Sequence, residues 1–223
     1  TCKSPIAMQS TTIKTYFAEK EGINLENLVN VVIAPCTSKK YEINRPELNV
    51  TNKDTDYILT TRELAKMIKD NNIDLLKLDD GKFDSPLGLG SSAGVIFGSS
   101  GGVSEATLRT AYHYITGKDL EDEKLVFSDV RGMDGIKEFL LDTGEIKIKV
   151  AIANGMKNAK TLIDKIKEGK MDYQFIEVMN CVGGCIAGGG QPKLSLLEMR
   201  DKKLERMNGP VSYTHLTLPT IRL

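Results

Sequence analysis

The chain has 223 residues, thirty Lys and Arg against thirty Asp and Glu, and 40% apolar residues, enough to bury a core of one or two domains. No run is long and apolar enough to cross a bilayer, and neither a basic n-region nor an apolar h-region follows Thr1, so the sequence predicts neither membrane insertion nor secretion. Interspersed charges leave no basic stripe for phosphates, which argues against nucleic acid, and four cysteines without a leader predict a reducing cytoplasmic setting with ligation rather than cross-links.

The first β-rich apolar run is Val31 to Ala34, which runs into Pro35 and presents Cys36 at its carboxyl end. Strand ends of this kind are where α/β sheets build sites. Lys39 and Lys40, just beyond, predict a lowered thiol pKa and a means of meeting an anion. The same residues also read as ordinary structure, a buried cysteine followed by two solvated lysines. A second run, Tyr57 to Leu59, leads into a helix from near Thr61 through Leu64, Met67 and Ile68 to a stop at Asp70-Asn71-Asn72.

From Ser91 to Glu105 the chain is rich in glycine and serine, and a helix is predicted from after Ser99-Ser100-Gly101-Gly102 to before Gly117. Such a loop offers amides to an anion or serves as a tight turn; without a Gly-Lys-Ser/Thr ending it is no P-loop. The charged run from Asp119 to Lys124 reads as a solvated loop. Asp142-Thr143-Gly144-Glu145, between Glu138–Leu141 and Lys147–Val150, predicts a hairpin. A strand over Val150 to Ala153, a helix over Lys157 to Lys167 and a strand over Phe175 to Met179 follow, and no internal repeat is present. The alternation predicts an α/β fold of parallel sheets flanked by helices.

The densest signal runs from Glu177 to Pro192, where Cys181 and Cys185 stand four residues apart in a glycine-rich loop after an apolar strand. Two thiolates this close make a poor disulfide framework. Glycines around them let the backbone approach a bulky inorganic core and aim amides at its sulfurs, so the loop predicts an iron–sulfur cluster.

These three segments, in this order, resemble the catalytic domain of the iron-only ([FeFe]) hydrogenases. That family shows Pro-Cys-Thr-Ser/Ala-Lys-Lys, Gly-Ala-Gly-x-Ile-Phe-Gly-x-Thr-Gly-Gly-Val, and Glu-Val-Met-Ala-Cys-x-Gly-Gly-Cys ending in Gly-Gly-Gly-Gln-Pro. The resemblance extends through Thr60–Ala65, Val130-Arg131-Gly132 and Ala153-Asn154-Gly155, and covers roughly Thr1 to Asn208. It implies the iron hydrogenase large-subunit fold, an α/β architecture with two lobes of parallel β-sheet flanked by helices and the cluster site between them. It also implies an H-cluster: a [4Fe-4S] cluster joined through one cysteine sulfur to a two-iron subcluster carrying CO, CN and a bridging dithiolate.

Carried over by position, Cys36, Cys181 and Cys185 are implied as cluster ligands, with Cys185 the bridging thiolate, and Lys39 as the hydrogen-bond donor to a cyanide. Phe97, Ser4, Pro5 and Met179 are implied as pocket wall, with Pro35 and Gly98 beside the cofactor. The implied activity is reversible reduction of protons to H2 in an anaerobic setting, with electrons from ferredoxin or a similar carrier, after assembly by hydrogenase maturation proteins. The alternative is a non-catalytic relative, a sensory hydrogenase or a Nar-type iron–sulfur assembly protein. Lys39 and the Phe97-Gly98 loop favour catalysis; Ala34, where many members have methionine, keeps the sensory version open.

The family's fourth cluster cysteine and its proton-relaying cysteine lie in a Thr-Ser-Cys-Cys-Pro-Gly-Trp segment, and the chain is expected to begin after that point. Cys2 matches neither position, and Ile6 stands where many members have glutamine. Residues 209–223 depart from the family and read as a foreign tail, so the expected domain is 1–208, a fragment inactive by itself. His113 reads as a surface or packed residue, and His215 belongs to the tail.

Overall fold

The computed structural model describes residues 3–82, 84, 87–88, 93–120, 135–144, 146–195 and 197–211. Readings at Cys2, Ser91-Ser92, 121–124, Val130-Arg131-Gly132, Glu145 and 212–223 therefore lie outside the described residues. The chain divides into two compact units, one of residues 1–89 with 188–193, the other of 90–187 with 194–223.

The first unit opens with a helix that apolar periodicity does not mark. Helix α1 (Pro5–Thr12) has Ser4 as its cap, whose hydroxyl accepts the Ala7 N–H at 3.3 Å, and Pro5 at its first position. It continues through a π turn (Ile13–Phe17) into α2 (Ala18–Lys20). Its buried face carries Ser10 and Lys14, and each polar group there has a partner. Ser10 accepts from Thr55 at 2.7 Å, Thr11 donates to Asp54 at 2.6 Å, and Lys14 pairs with Asp56 at 2.9 Å. A face held by hydrogen bonds rather than apolar burial gives no hydrophobic stripe to read.

Strands β1 (Val31–Ala34) and β2 (Tyr57–Thr60) pair in parallel, Val31 opposite Tyr57 and Ala34 opposite Thr60. The short helix α3 (Lys39–Glu42) follows β1, and α4 (Thr61–Asp70) follows β2 through a capping box between Thr60 and Glu63. The segment 188–193 returns across the carboxyl ends of both strands. Gly190 donates its N–H to the Pro35 carbonyl and accepts that of Arg62, each at 3.1 Å.

In the second unit, α5 (Ala93–Ile96) and α6 (Gly102–Thr116) precede a three-stranded sheet of β3 (Ile136–Asp142), β4 (Lys147–Asn154) and β5 (Phe175–Met179). Helix α7 (Met156–Lys167) connects β4 to β5, and α8 (Met199–Val211) follows a 3₁₀ turn at Cys185–Ala187. The expectation of parallel sheets holds for β4 with β5 and is corrected for β3, which pairs antiparallel with β4 as the hairpin reading requires. The physical reason is connection length: a turn of a few residues at Asp142 joins only antiparallel neighbours, whereas α7 supplies the long crossover that parallel strands need.

Strand β4 is central and buried on both faces. Val150 and Ile152 pack with Leu108, Tyr112, Leu120 and Leu141, while Ala151 and Ala153 pack with Ala159 and Leu162. The backbone of α8 is helical to Val211. Among the described residues no helix is long and apolar enough to cross a membrane.

Candidate metal centre

In the first unit the site begins where β1 ends. Ala34 is buried, and Pro35 carries the chain to Cys36, a half-buried free thiol. The returning segment packs against this corner so closely that a Cβ on Gly190 would lie 2.9 Å from Thr60 Cβ and 3.0 Å from the Pro35 carbonyl carbon. Arg62 adds a hydrogen bond from its guanidinium to the Gly189 carbonyl at 2.9 Å.

The two lysines aimed by the sequence at Cys36 have carboxylate partners instead. Lys39 pairs with Glu42, one helical turn on in α3, and Lys40 pairs with Glu63 of α4 at 2.6 Å. The Lys40 hydrogen bond, followed by those from Thr60, pulls the Glu63 carboxyl down to about 2. For Glu42, burial pushes the carboxyl up, but hydrogen bonds from Lys39 and Ser4 and the Lys39 and Arg45 charges outweigh it and hold it below the usual range. Glu42 thereby joins two predicted site residues, Ser4 and Lys39, through one carboxylate. Pro5 is exposed.

In the second unit β5 ends at half-buried Met179, whose carbonyl accepts the Gly155 N–H at 2.7 Å. Cys181 and Cys185, both half-buried and neither in a disulfide, flank a turn in which Gly184 donates to the Cys181 carbonyl at 2.9 Å. Gly184 has φ 93°, and a Cβ there would lie 2.5 Å from the Ser100 nitrogen and 2.7 Å from the Gly98 oxygen. The loop from Gly98 to Ser100 is therefore the bed on which the cysteine loop lies. Ser100 donates to the Gly183 carbonyl at 3.2 Å, and Ile186 donates to that of Gly98 at 3.0 Å. Phe97 is half-buried against Ile96 and Ala106.

Three further groups hold this loop. The buried Asn154 side chain at the end of β4 accepts the Gly183 N–H at 3.3 Å, and Arg206 of α8 donates to the Ile186 carbonyl at 3.2 Å. The buried Glu177 carboxylate caps α6, accepting from Gly101 N–H at 2.6 Å, Ser104 N–H at 2.8 Å and the Ser104 hydroxyl at 2.7 Å.

The structure thus brings Ser4 and Lys39 together through Glu42, sets Pro35 against Gly190, and sets Gly98 with the Cys181–Cys185 loop, while Phe97 packs with Ile96 and Ala106. Cys36 belongs to the first unit and the other two cysteines to the second. Glu42, Asn154 and Arg206 escaped the sequence reading. Glu42 had a signal in its spacing of three from Lys39, and Asn154 in its place at a strand end. Arg206 had none, because one arginine in a charged helix looks like its neighbours.

These residues fit an iron–sulfur cluster. The donors are thiols alone, the set that selects such clusters, and they sit where the backbone is stripped of Cβ atoms. The hydroxyls of Ser99 and Ser100 in the supporting loop are buried and have no hydrogen-bond partner among the described residues, a pairing that cluster sulfur atoms satisfy. Among the described residues no three His, Cys, Asp or Glu side chains gather as a metal-ion site.

An α/β chain with thiols at a strand end and in a glycine-lined loop defines a cluster-binding protein. The chain belongs to the iron-only hydrogenase large-subunit family, whose C-terminal domain model matches residues 1–189. It is 47% identical over 209 residues to the periplasmic [Fe] hydrogenase large subunit of Nitratidesulfovibrio vulgaris, spanning 93% of this chain and 49% of that relative. A solved structure of [FeFe]-hydrogenase HydA1 from Chlamydomonas reinhardtii matches with a TM-score of 0.75 at 38% identity, over 92% of this chain and 59% of that one. The cytosolic Fe-S cluster assembly factor narfl of Danio rerio is more distant, 28% identical over 98% of this chain and 54% of that relative. The chain spans about half the length of these curated relatives.

Proposed function

We propose that the protein to which this chain belongs reduces protons reversibly to H2 at an H-cluster whose cubane is held by Cys36, Cys181 and Cys185, with Cys185 bridging to the two-iron subcluster. The observation that carries this reading is the Cys181–Cys185 loop seated on Gly98–Ser100, with Gly184 at a point where a Cβ would meet backbone and two buried serine hydroxyls in the supporting loop.

When bound, the H-cluster supplies the electron storage and the iron centre at which H2 is made or split. The residues of the chain do the rest. Lys39 would hold an anionic cyanide of the bound cluster through a charge-assisted hydrogen bond from its ammonium. Ser4, Phe97 and Met179, with Pro5 at the rim, would wall the cofactor. Pro35 and Gly98 shape the backbone on either side, and Gly190 fixes the corner that carries Cys36. Electrons for proton reduction come from ferredoxin or a similar one-electron carrier and return to it when H2 is split, maturation proteins deliver the two-iron subcluster, and the setting is an anaerobic cytoplasm.

Infrared spectroscopy of the full-length protein, matured anaerobically, tests this in the region of metal-bound carbonyl and cyanide stretches. Bands there support the hydrogenase reading. A cubane signal in paramagnetic resonance without such bands favours the second reading, an iron–sulfur assembly factor, whose supporting observation is the match to the Danio rerio factor over 98% of this chain. The sensory version of the family would show the bands but little H2 turnover.

A further inference from the structure

Lys39 and Ser4 come from separate elements, α3 and the cap of α1, yet one side chain holds both. Glu42 accepts the Lys39 ammonium on one carboxylate oxygen and the Ser4 hydroxyl on the other. The two contacts differ in kind. The Lys39 contact spans three residues and is local to α3, whereas the Ser4 contact spans 38 residues and fixes where α1 begins relative to α3. A small cavity beside Glu42 is lined by Ile6, Ala7, Ile43 and Leu48 together with the polar Asn49, Asp54 and Thr55.

An ammonium has three N–H donors on a flexible four-carbon stem, and each rotamer left open is entropy that a ligand must remove. Glu42 takes one donor, leaves two, and restricts the stem of Lys39, whose side chain is only 19% exposed. The geometry points to Glu42 as the positioning residue for Lys39 and Ser4, holding the ammonium aimed and the pocket wall in register before any cofactor arrives. This inference rests on the hydrogenase reading of Lys39.

The test compares the native full-length protein with Glu42→Gln and Glu42→Ala, in two measurements. After anaerobic maturation, the cyanide stretches should shift in Glu42→Ala while the iron content is retained. Glu42→Gln, which still offers an acceptor to both donors, should shift less. In cluster-free protein, mass-spectrometric footprinting should show Lys39 acylated several-fold faster in Glu42→Ala than in native protein, with Lys40 unchanged. A role confined to stability would lower the melting temperature and leave the cyanide frequencies in place, and that result overturns the inference. If Glu42→Ala does not fold, Glu42→Gln carries both measurements, and native values in both overturn it. Native protein without cyanide bands sinks the hydrogenase reading and this inference with it, whereas native bands with unshifted variants sink this inference alone.

Discussion

Glu177 in β5 and Ser104 in the first turn of α6 meet twice at one carboxylate oxygen, through the Ser104 N–H at 2.8 Å and its hydroxyl at 2.7 Å. The other oxygen takes the Gly101 N–H at 2.6 Å. The strand that leads into Cys181 is thereby tied to the helix that follows the Gly98–Ser100 loop, and that loop supports Gly184. One buried carboxylate satisfies the open end of a helix and aligns the two segments of the cysteine loop.

Glu177→Ala leaves these three buried donors without their acceptor, which should destabilise the protein by about 3 kcal/mol in urea unfolding. Glu177→Gln keeps one acceptor oxygen and should lose less, about 1 to 2 kcal/mol. Equal stability of Glu177→Ala and native protein would show that water reaches the helix end and the tie is dispensable.

Gly184→Ala combines two penalties that a surface glycine lacks. Its φ of 93° disfavours any L side chain, and the new Cβ would meet backbone at 2.5 Å rather than a side chain able to swing away. The expected loss is about 2 to 4 kcal/mol, with lower iron retention after anaerobic reconstitution. Gly144→Ala, at φ 85° with nothing within 4 Å, is the control that carries the dihedral term alone. If both variants lose the same stability, the close approach at Gly184 contributes nothing.

The contrast between the units shows what the sequence made legible. Strands β4 and β5 and helix α7 were readable because their apolar residues follow strand and helix periods, down to the hairpin at Asp142. The cysteine loop was readable because glycines and thiols are rare in that density. Helix α1 was not, because Ser10, Thr11 and Lys14 turn polar atoms toward Asp54, Thr55 and Asp56, partners more than forty residues away in sequence. The same non-local logic hid the destination of Lys40: nothing near it announces that Glu63, beyond β2, is its partner.

That pair sets a pH dependence with a definite sign. The Glu63 carboxyl titrates at about 2 in the folded protein instead of 4.5. Its contribution is therefore fully present above about pH 4.5 and is lost as pH falls toward and through about 2. Thermal unfolding followed by circular dichroism across that range should show a shallower acid dependence in Glu63→Gln than in the native protein. Matching acid limbs would mean that solvent screens the Lys40 contact and that other carboxylates set the acid stability.

Iron binding separates the thiols by role. Cys181 and Cys185 lie in one loop braced by Gly98, Ser100, Asn154 and Arg206, so Cys181→Ser and Cys185→Ser should each lower cubane content after anaerobic reconstitution from about four irons per chain. Cys36→Ser should do the same without altering the second unit, because its corner is built from Pro35, Thr60 and Gly190. Serine preserves the fold at each site, so native melting temperatures with reduced iron and a weakened paramagnetic signal are the expected outcome. The infrared readout tests the proposed bridging role: if Cys185 is the thiolate that would join the cubane to the two-iron subcluster, Cys185→Ser should lose the two-iron bands after maturation while some cubane signal remains. Full iron loading in any one of the three variants would remove that cysteine from the ligand set.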